Sequence, residues 1–129
     1  MKYLCLGYLD EKLWDTLPES EGSAIMDRCF AYQDELTRGG HFQGGELLQA
    51  PRNAATVRFR DGAVTVTDGP FAETKEQIGG IFFLEARDLN EAIQLVSRHP
   101  GLRVGPFEIR AVEDFGEATR ASEARRSNA

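Results

Sequence analysis

Asp68, Phe71, Glu73, Lys75 and Glu76 all fall in the nine-residue stretch DGPFAETKE, residues 68–76, the densest run of chemically capable side chains in the sequence. Asp68 can serve as a base or anchor a ligand. Lys75 can bind an acidic group, and Glu73 or Glu76 can orient that lysine. A loop that only had to turn would not need so particular a set of charges beside a phenylalanine. The same residues also have a purely structural reading. Asp68-Gly69-Pro70 is turn chemistry, in which Asp bonds the backbone ahead, Gly supplies an unusual φ and Pro fixes the next one, and the charges can form a surface salt-bridge network.

Outside that segment reactive groups are few. His41 opens a strand-like stretch just after Gly39-Gly40 and joins Asp68 as a candidate catalytic residue. His99, before Pro100 at the end of a helix pattern, reads as a partly exposed imidazole favoured there by the helix dipole. Cys5 lies in a strand pattern and Cys29 on an apolar helix face, so both read as small buried hydrophobes, and no disulfide is expected. Two histidines and two core cysteines make no zinc-type ligand set, so no metal is expected. Because the chain lacks a P-loop, a dinucleotide-binding glycine signature and a G-x-S-x-G elbow, no cofactor is expected either.

The whole-chain balance narrows the partners. A formal net charge of −6 and a pI near 4.9 disfavour nucleic acid, whose backbone is bound mainly through clustered Lys and Arg. No apolar run reaches the ~20 residues of a membrane helix. Near the N-terminus, Asp10, Glu11 and Asp15 break up what a secretory signal would keep apolar, so export is not indicated and a cytoplasmic location is expected. At 129 residues the chain is the size of one domain.

The elements that must position these residues follow from periodicity. Residues 2–9 are apolar except at Lys2 and Gly7, as in a central strand. Ser20 or Ser23 can cap a helix whose apolar positions Ile25, Cys29, Tyr32 and Leu36 recur at helical spacing, and Gly39-Gly40 end it. A strand from His41 follows, with Gly44-Gly45 suggesting a bulge or a close backbone approach. TVRFR and AVTVT flank Asp61-Gly62, the sequence signal of a type I′ hairpin. After the DGPFAETKE loop comes the strand IGGIFFLEAR. A helix capped by Asp88 with Glu91 is next, with Leu89, Ala92, Ile93 and Val96 on one face, and FEIRAVE closes the order. The tail, residues 114–129, has no apolar stripe and reads as frayed helix or disorder.

The sum is β-α-β, a hairpin, then β-α-β: an α+β, ferredoxin-like antiparallel sheet with two helices on one face. Because the strands look apolar on both sides, the uncovered face needs a partner. A symmetric homodimer packed sheet to sheet is the expected one.

VTVTDGPFAETKEQIGGIFFLEARD, residues 64–88, resembles the DGPF signature of the YCII-related family, and the likeness extends more loosely over residues 1–113, to the closing E-I-R-x-V of residues 108–112. The resemblance implies a dimeric α/β barrel with a small-molecule cavity between sheet and helices, on a fold that also hosts monooxygenases, isomerases and dehydrochlorinases; lyase- or isomerase-like acid/base activity is one expectation. It equally implies a non-enzymatic regulatory or interaction module, since similar proteins are often encoded beside extracytoplasmic-function sigma factors. The broader family is suspected of using a His on the first helix with an Asp in a D-P pair after the second. Here residues 24–38 contain no His, and His99-Pro100 stands where the D-P pair would.

Overall fold

A computed structural model describes residues 1–128. The chain runs β1 (Lys2–Leu9), α1 (Glu11–Thr16), α2 (Glu19–Arg38), β2 (Phe42–Leu47), β3 (Ala55–Arg60), β4 (Ala63–Asp68), β5 (Gln77–Glu85), α3 (Leu89–Val96), β6 (Phe107–Ala111) and α4 (Phe115–Ser127). Short 3₁₀ turns at Pro51–Asn53 and Pro100–Arg103 lead into β3 and β6. The main sheet has the order β2-β5-β1-β6 with every neighbouring pair antiparallel, and β3 with β4 forms a separate hairpin. This is the expected ferredoxin-like skeleton, with the hairpin inserted between its second and third strands.

Alternation along β1 sends Tyr3 and Cys5 to one face, where with Phe82 and Leu84 of β5 they meet Tyr32 and Leu36 of α2 and Ala92, Leu95 and Val96 of α3. Both helices therefore cover the same face. On α3 the buried side is Ala92, Leu95 and Val96, whereas Leu89 and Ile93 are exposed; an eight-residue helix tilts its stripe to suit the sheet beneath it.

The caps explain the helix boundaries. Gly39 and Gly40 end α2 in a Schellman turn: His41 N donates to Leu36 O at 2.8 Å, Gly40 N to Thr37 O at 3.1 Å, and Gly40 takes φ +78°. At its other end α2 starts at Glu19 after Pro18, with no side-chain cap, so neither Ser20 nor Ser23 fills that role. Glu19 and Glu21 favour the exposed N–H groups through the dipole instead. Asp88 caps α3 by accepting from Glu91 N at 2.8 Å, as the sequence pattern predicts. The tail forms α4, capped by Asp114 and without a buried residue.

Candidate functional site

The helix-facing side of the sheet is filled at one end and hollow at the other. Cys5 pairs with Phe82, but two residues on, Gly7 pairs with Gly80, and β1 and β5 slip register just beyond, between Gly7 and Tyr8, leaving Gly79 as the extra residue of a bulge. On the far side of β5 the β2 ladder also slips, between Phe42 and Gly45. Gly45 must be glycine for a steric reason: a Cβ there would lie 2.7 Å from Ile81 O and 2.8 Å from Phe82 Cβ. Side chains are thus missing from β1 and β5 at one level, where Gly7 meets Gly80, while Gly45 of β2 lies opposite Phe82, two residues along the ladder. Beneath α2, from Ile25 to Leu36, lies a cleft of about 870 Å³, walled by Ile25, Cys29 and Phe30 and floored largely by glycines.

His99 borders this cleft. Its imidazole stacks on Phe82 (centroids 5.6 Å apart, planes at 17°), meets Phe107 at 4.6 Å and stands edge-on to Tyr32 at 5.7 Å. It is therefore half-buried among aromatic rings: partly exposed, as its place after α3 suggests, but held by ring packing rather than by the helix dipole. Burial pushes its pKa down to about 4, so the ring is neutral. The tautomer is fixed by the backbone: Gly101 N donates to Nδ1 at 2.9 Å, at the start of the 3₁₀ turn that His99 caps, so the neutral ring carries its proton on Nε2. Sequence reasoning missed His99 as a cleft residue. The signals were its place opposite the family's D-P pair and the H-P-G turn, which reverses the chain back over the sheet. Cys5 is core and its thiol is pushed up to about 12 by burial. Cys29, however, lines the cleft, and burial also raises its pKa, with the Arg28 charge opposing.

The DGPF loop stands at a second, smaller cleft of about 530 Å³, which Phe71, Glu76 and Gln77 line together with Pro51 and Ala54. Tyr8 and Leu48 border both clefts, so the two adjoin. Gln77 organises the loop by donating to Ala72 O at 2.7 Å and to Thr74 O at 3.0 Å. At the loop's start, Gly69 takes φ +98°, its N–H reaching Ala54 O at 2.7 Å and its carbonyl accepting from Thr56 Oγ1 at 2.9 Å. The turn is held by Gly69 and Thr56, and the Asp68 carboxylate accepts no hydrogen bond among the described residues. Asp68 ends β4, opposite Ala55, and is exposed. Phe71 is exposed with the Arg58 guanidinium 5.3 Å over its ring. Lys75 Nζ lies 3.8 Å from Asp10 Oδ2, and Glu73 and Glu76 face solvent.

His41 lies elsewhere. Its Nδ1 is 2.8 Å from Glu85 O and its carbonyl accepts from Glu85 N, at the end of β5 remote from the DGPF loop. Nine residues of β5 separate those ends, roughly 26 Å at ~3.3 Å per residue. Of the predicted residues, the structure brings Phe71 and Glu76 together at the smaller cleft, while Asp68, Glu73 and Lys75 line neither cleft and His41 is held apart at the far end of β5.

Residues 1–116 match the YCII-related domain. An uncharacterized protein of Rhizobium meliloti (strain 1021) is 32% identical over 114 residues, covering 85% of this chain and 90% of its own. The chain belongs to the YCII-related family. Among solved structures it is similar to 5-chloro-2-hydroxyhydroquinone dehydrochlorinase (TftG) from Burkholderia phenoliruptrix AC1100, in complex with 2,5-dihydroxybenzoquinone: the TM-score is 0.52 at 14% identity, over 91% of this chain and 98% of that one. At that identity the likeness is one of fold.

Proposed function

We propose that this YCII-related protein binds a small molecule in the glycine-floored cleft, with the DGPF loop at its mouth, and that it carries out acid/base chemistry of the lyase or isomerase kind there. The cleft itself is the observation that supports this most. Its volume of about 870 Å³ falls in the range of ligand sites, its walls are mainly apolar, and a neutral imidazole borders it. A small ring compound bound to a dehydrochlorinase of the same fold agrees with that reading. In this arrangement Asp68, Glu73, Lys75 and Glu76 meet the ligand on its way in, Phe71 covers it, and His41 fastens the far end of β2 to β5. We further propose that two copies in the cytoplasm pair through the outer faces of their sheets.

Filling the floor tests the cleft. A Cβ at Gly80 would have its nearest neighbours at 3.4 Å, an ordinary contact, so Gly80→Val is expected to fold while its methyl groups occupy the space. Small ring compounds that raise the melting temperature of the wild type are expected to have no effect on Gly80→Val. Equal shifts in both would overturn the assignment. Asp68→Asn isolates charge at the mouth: the melting temperature should stay within a few degrees while binding or turnover falls about tenfold. Unchanged affinity for every hit would leave DGPF as a structural turn.

A second reading is favoured by one feature. Val57, Phe59, Val64 and Val66 form cross-strand pairs on one side of the β3–β4 hairpin, and each is 64–73% exposed. An interaction module would use such a face.

A further inference from the structure

The side chains that line the two clefts limit the charge of a ligand. Among the described residues, Glu46 is the only charged side chain lining the larger cleft and Glu76 the only one lining the smaller, and no Lys or Arg lines either. Lys75 of the motif lies 3.8 Å from Asp10, the Arg58 guanidinium lies over the outer Phe71 ring, and neither they nor Arg28, beside Cys29, are among the lining residues. A carboxylate or phosphate entering this space would lose water and gain no counter-charge, which is a heavy cost in an apolar site. A neutral molecule loses little.

Several polar atoms at the cleft wall have no partner among the described residues, the Trp14 indole nitrogen and the Gln33 amide among them, and one of them is held in place by packing on the ring that carries it. His99 Nδ1 is occupied by Gly101 N–H, which leaves Nε2–H as the free donor, and Nε2 makes no hydrogen bond among the described residues. Among the described residues no fully buried side-chain nitrogen or oxygen is unpaired, so Nε2 keeps some accessible surface, and His99 is a lining residue of the cleft. Phe82 and Phe107 hold the ring by stacking, and the Gly101 bond fixes its rotation. The donor is therefore pre-aimed, which lowers the entropic cost of using it.

We propose that His99 is the specificity residue of the cleft: its Nε2–H donates to a carbonyl or hydroxyl oxygen of an uncharged ring compound, and carboxylated analogues are rejected. This inference rests on the reading of the cleft as a binding site. It runs against the expectation from sequence that Lys75 would draw an acidic ligand.

Acetophenone, ethylbenzene and benzoate provide a matched set, alike in ring and differing in acceptor and charge. Binding is followed by amide and methyl shifts of cleft residues, and by the ¹⁵N-¹H resonance of His99 Nε2 at pH 7. Acetophenone is expected to move the Nε2–H resonance, ethylbenzene to bind in the cleft without moving it, and benzoate to bind at least about tenfold more weakly than acetophenone. In His99→Phe, which keeps the stacked ring, acetophenone should lose about three- to tenfold in affinity, the scale of one neutral hydrogen bond, and ethylbenzene less than twofold. Cleft shifts from acetophenone without a response at Nε2, or benzoate binding as well as acetophenone, would overturn the role of His99 and leave the cleft a binding site. If no compound perturbs the cleft, the binding site itself is refuted and the specificity role with it. Should His99→Phe fail to fold, the wild-type Nε2 resonance decides alone.

Discussion

His99 ties the stability of the molecule to pH as well as bordering its cleft. Its pKa falls from the ordinary 6.5 to about 4 because a protonated imidazole would be desolvated between Phe82 and Phe107. Between those values the unfolded chain takes up a proton that the folded chain refuses. His99 thus costs no stability above pH 6.5, and stability is lost progressively as pH falls toward 4. The full effect is at most about 3 kcal/mol, and less with solvent screening. Urea denaturation at pH 7 and pH 4.5 measures it: the drop seen in the wild type should be distinctly smaller in His99→Phe. Asp10 and Lys75 make a second pair of expectations. Asp10 caps α1, accepting from Lys12 N at 3.1 Å and Leu13 N at 3.4 Å, so Asp10→Ala should cost about 1 kcal/mol, whereas removing the exposed Lys75 at 3.8 Å should cost less than about 0.5 kcal/mol.

At the scale of elements, glycines do two different jobs. Asp61 and Gly62 have φ +50° and +79°, the two positive values a type I′ turn needs, and the Asp-Gly signal announces them from sequence alone. Gly62→Ala should therefore cost about 1 kcal/mol through backbone strain. Gly45 serves packing. Its missing Cβ lets β2 approach β5, and Gly45→Ala should destabilise more than Gly62→Ala and perturb amide resonances of Phe82, because the obstructing atoms are backbone and Cβ, which cannot rotate away. The start of α2 was less legible. The two serines at Ser20 and Ser23 look like caps, but Asp10 begins a preceding helical turn, and Pro18 then fixes where the chain re-enters a helix.

For the whole molecule the open question is what covers the outer sheet face. Leu4, Leu6, Ile81 and Phe83 lie there half-exposed, and the separate hairpin exposes Val57, Phe59, Val64 and Val66. An isolated two-stranded hairpin is marginal in water, so a lasting cover is favoured over a transient one. Sedimentation is expected to give about twice the chain mass of 14.3 kDa, and Phe83→Glu to shift the protein toward monomer. A stable, non-aggregating monomer of the wild type at micromolar concentration would remove the sheet-to-sheet pairing.

The order of the strands and the two core helices, the Asp61-Gly62 turn, the Schellman end of α2 and the Asp88 cap were legible in the sequence, because each depends on side chains within a few residues of one another; the short α1 was not. The cleft was not. Gly7 and Gly80 are far apart in the chain, and only strand pairing sets their missing side chains side by side, with Gly45 nearby opposite Phe82. Non-local packing likewise set the partly exposed His99 against a wall of aromatic rings, and the length of β5 set His41 apart from the DGPF loop. Local sequence determined which backbone each segment forms; which side chains share a space was decided by the register of β1, β2 and β5, a property of the sheet as a whole.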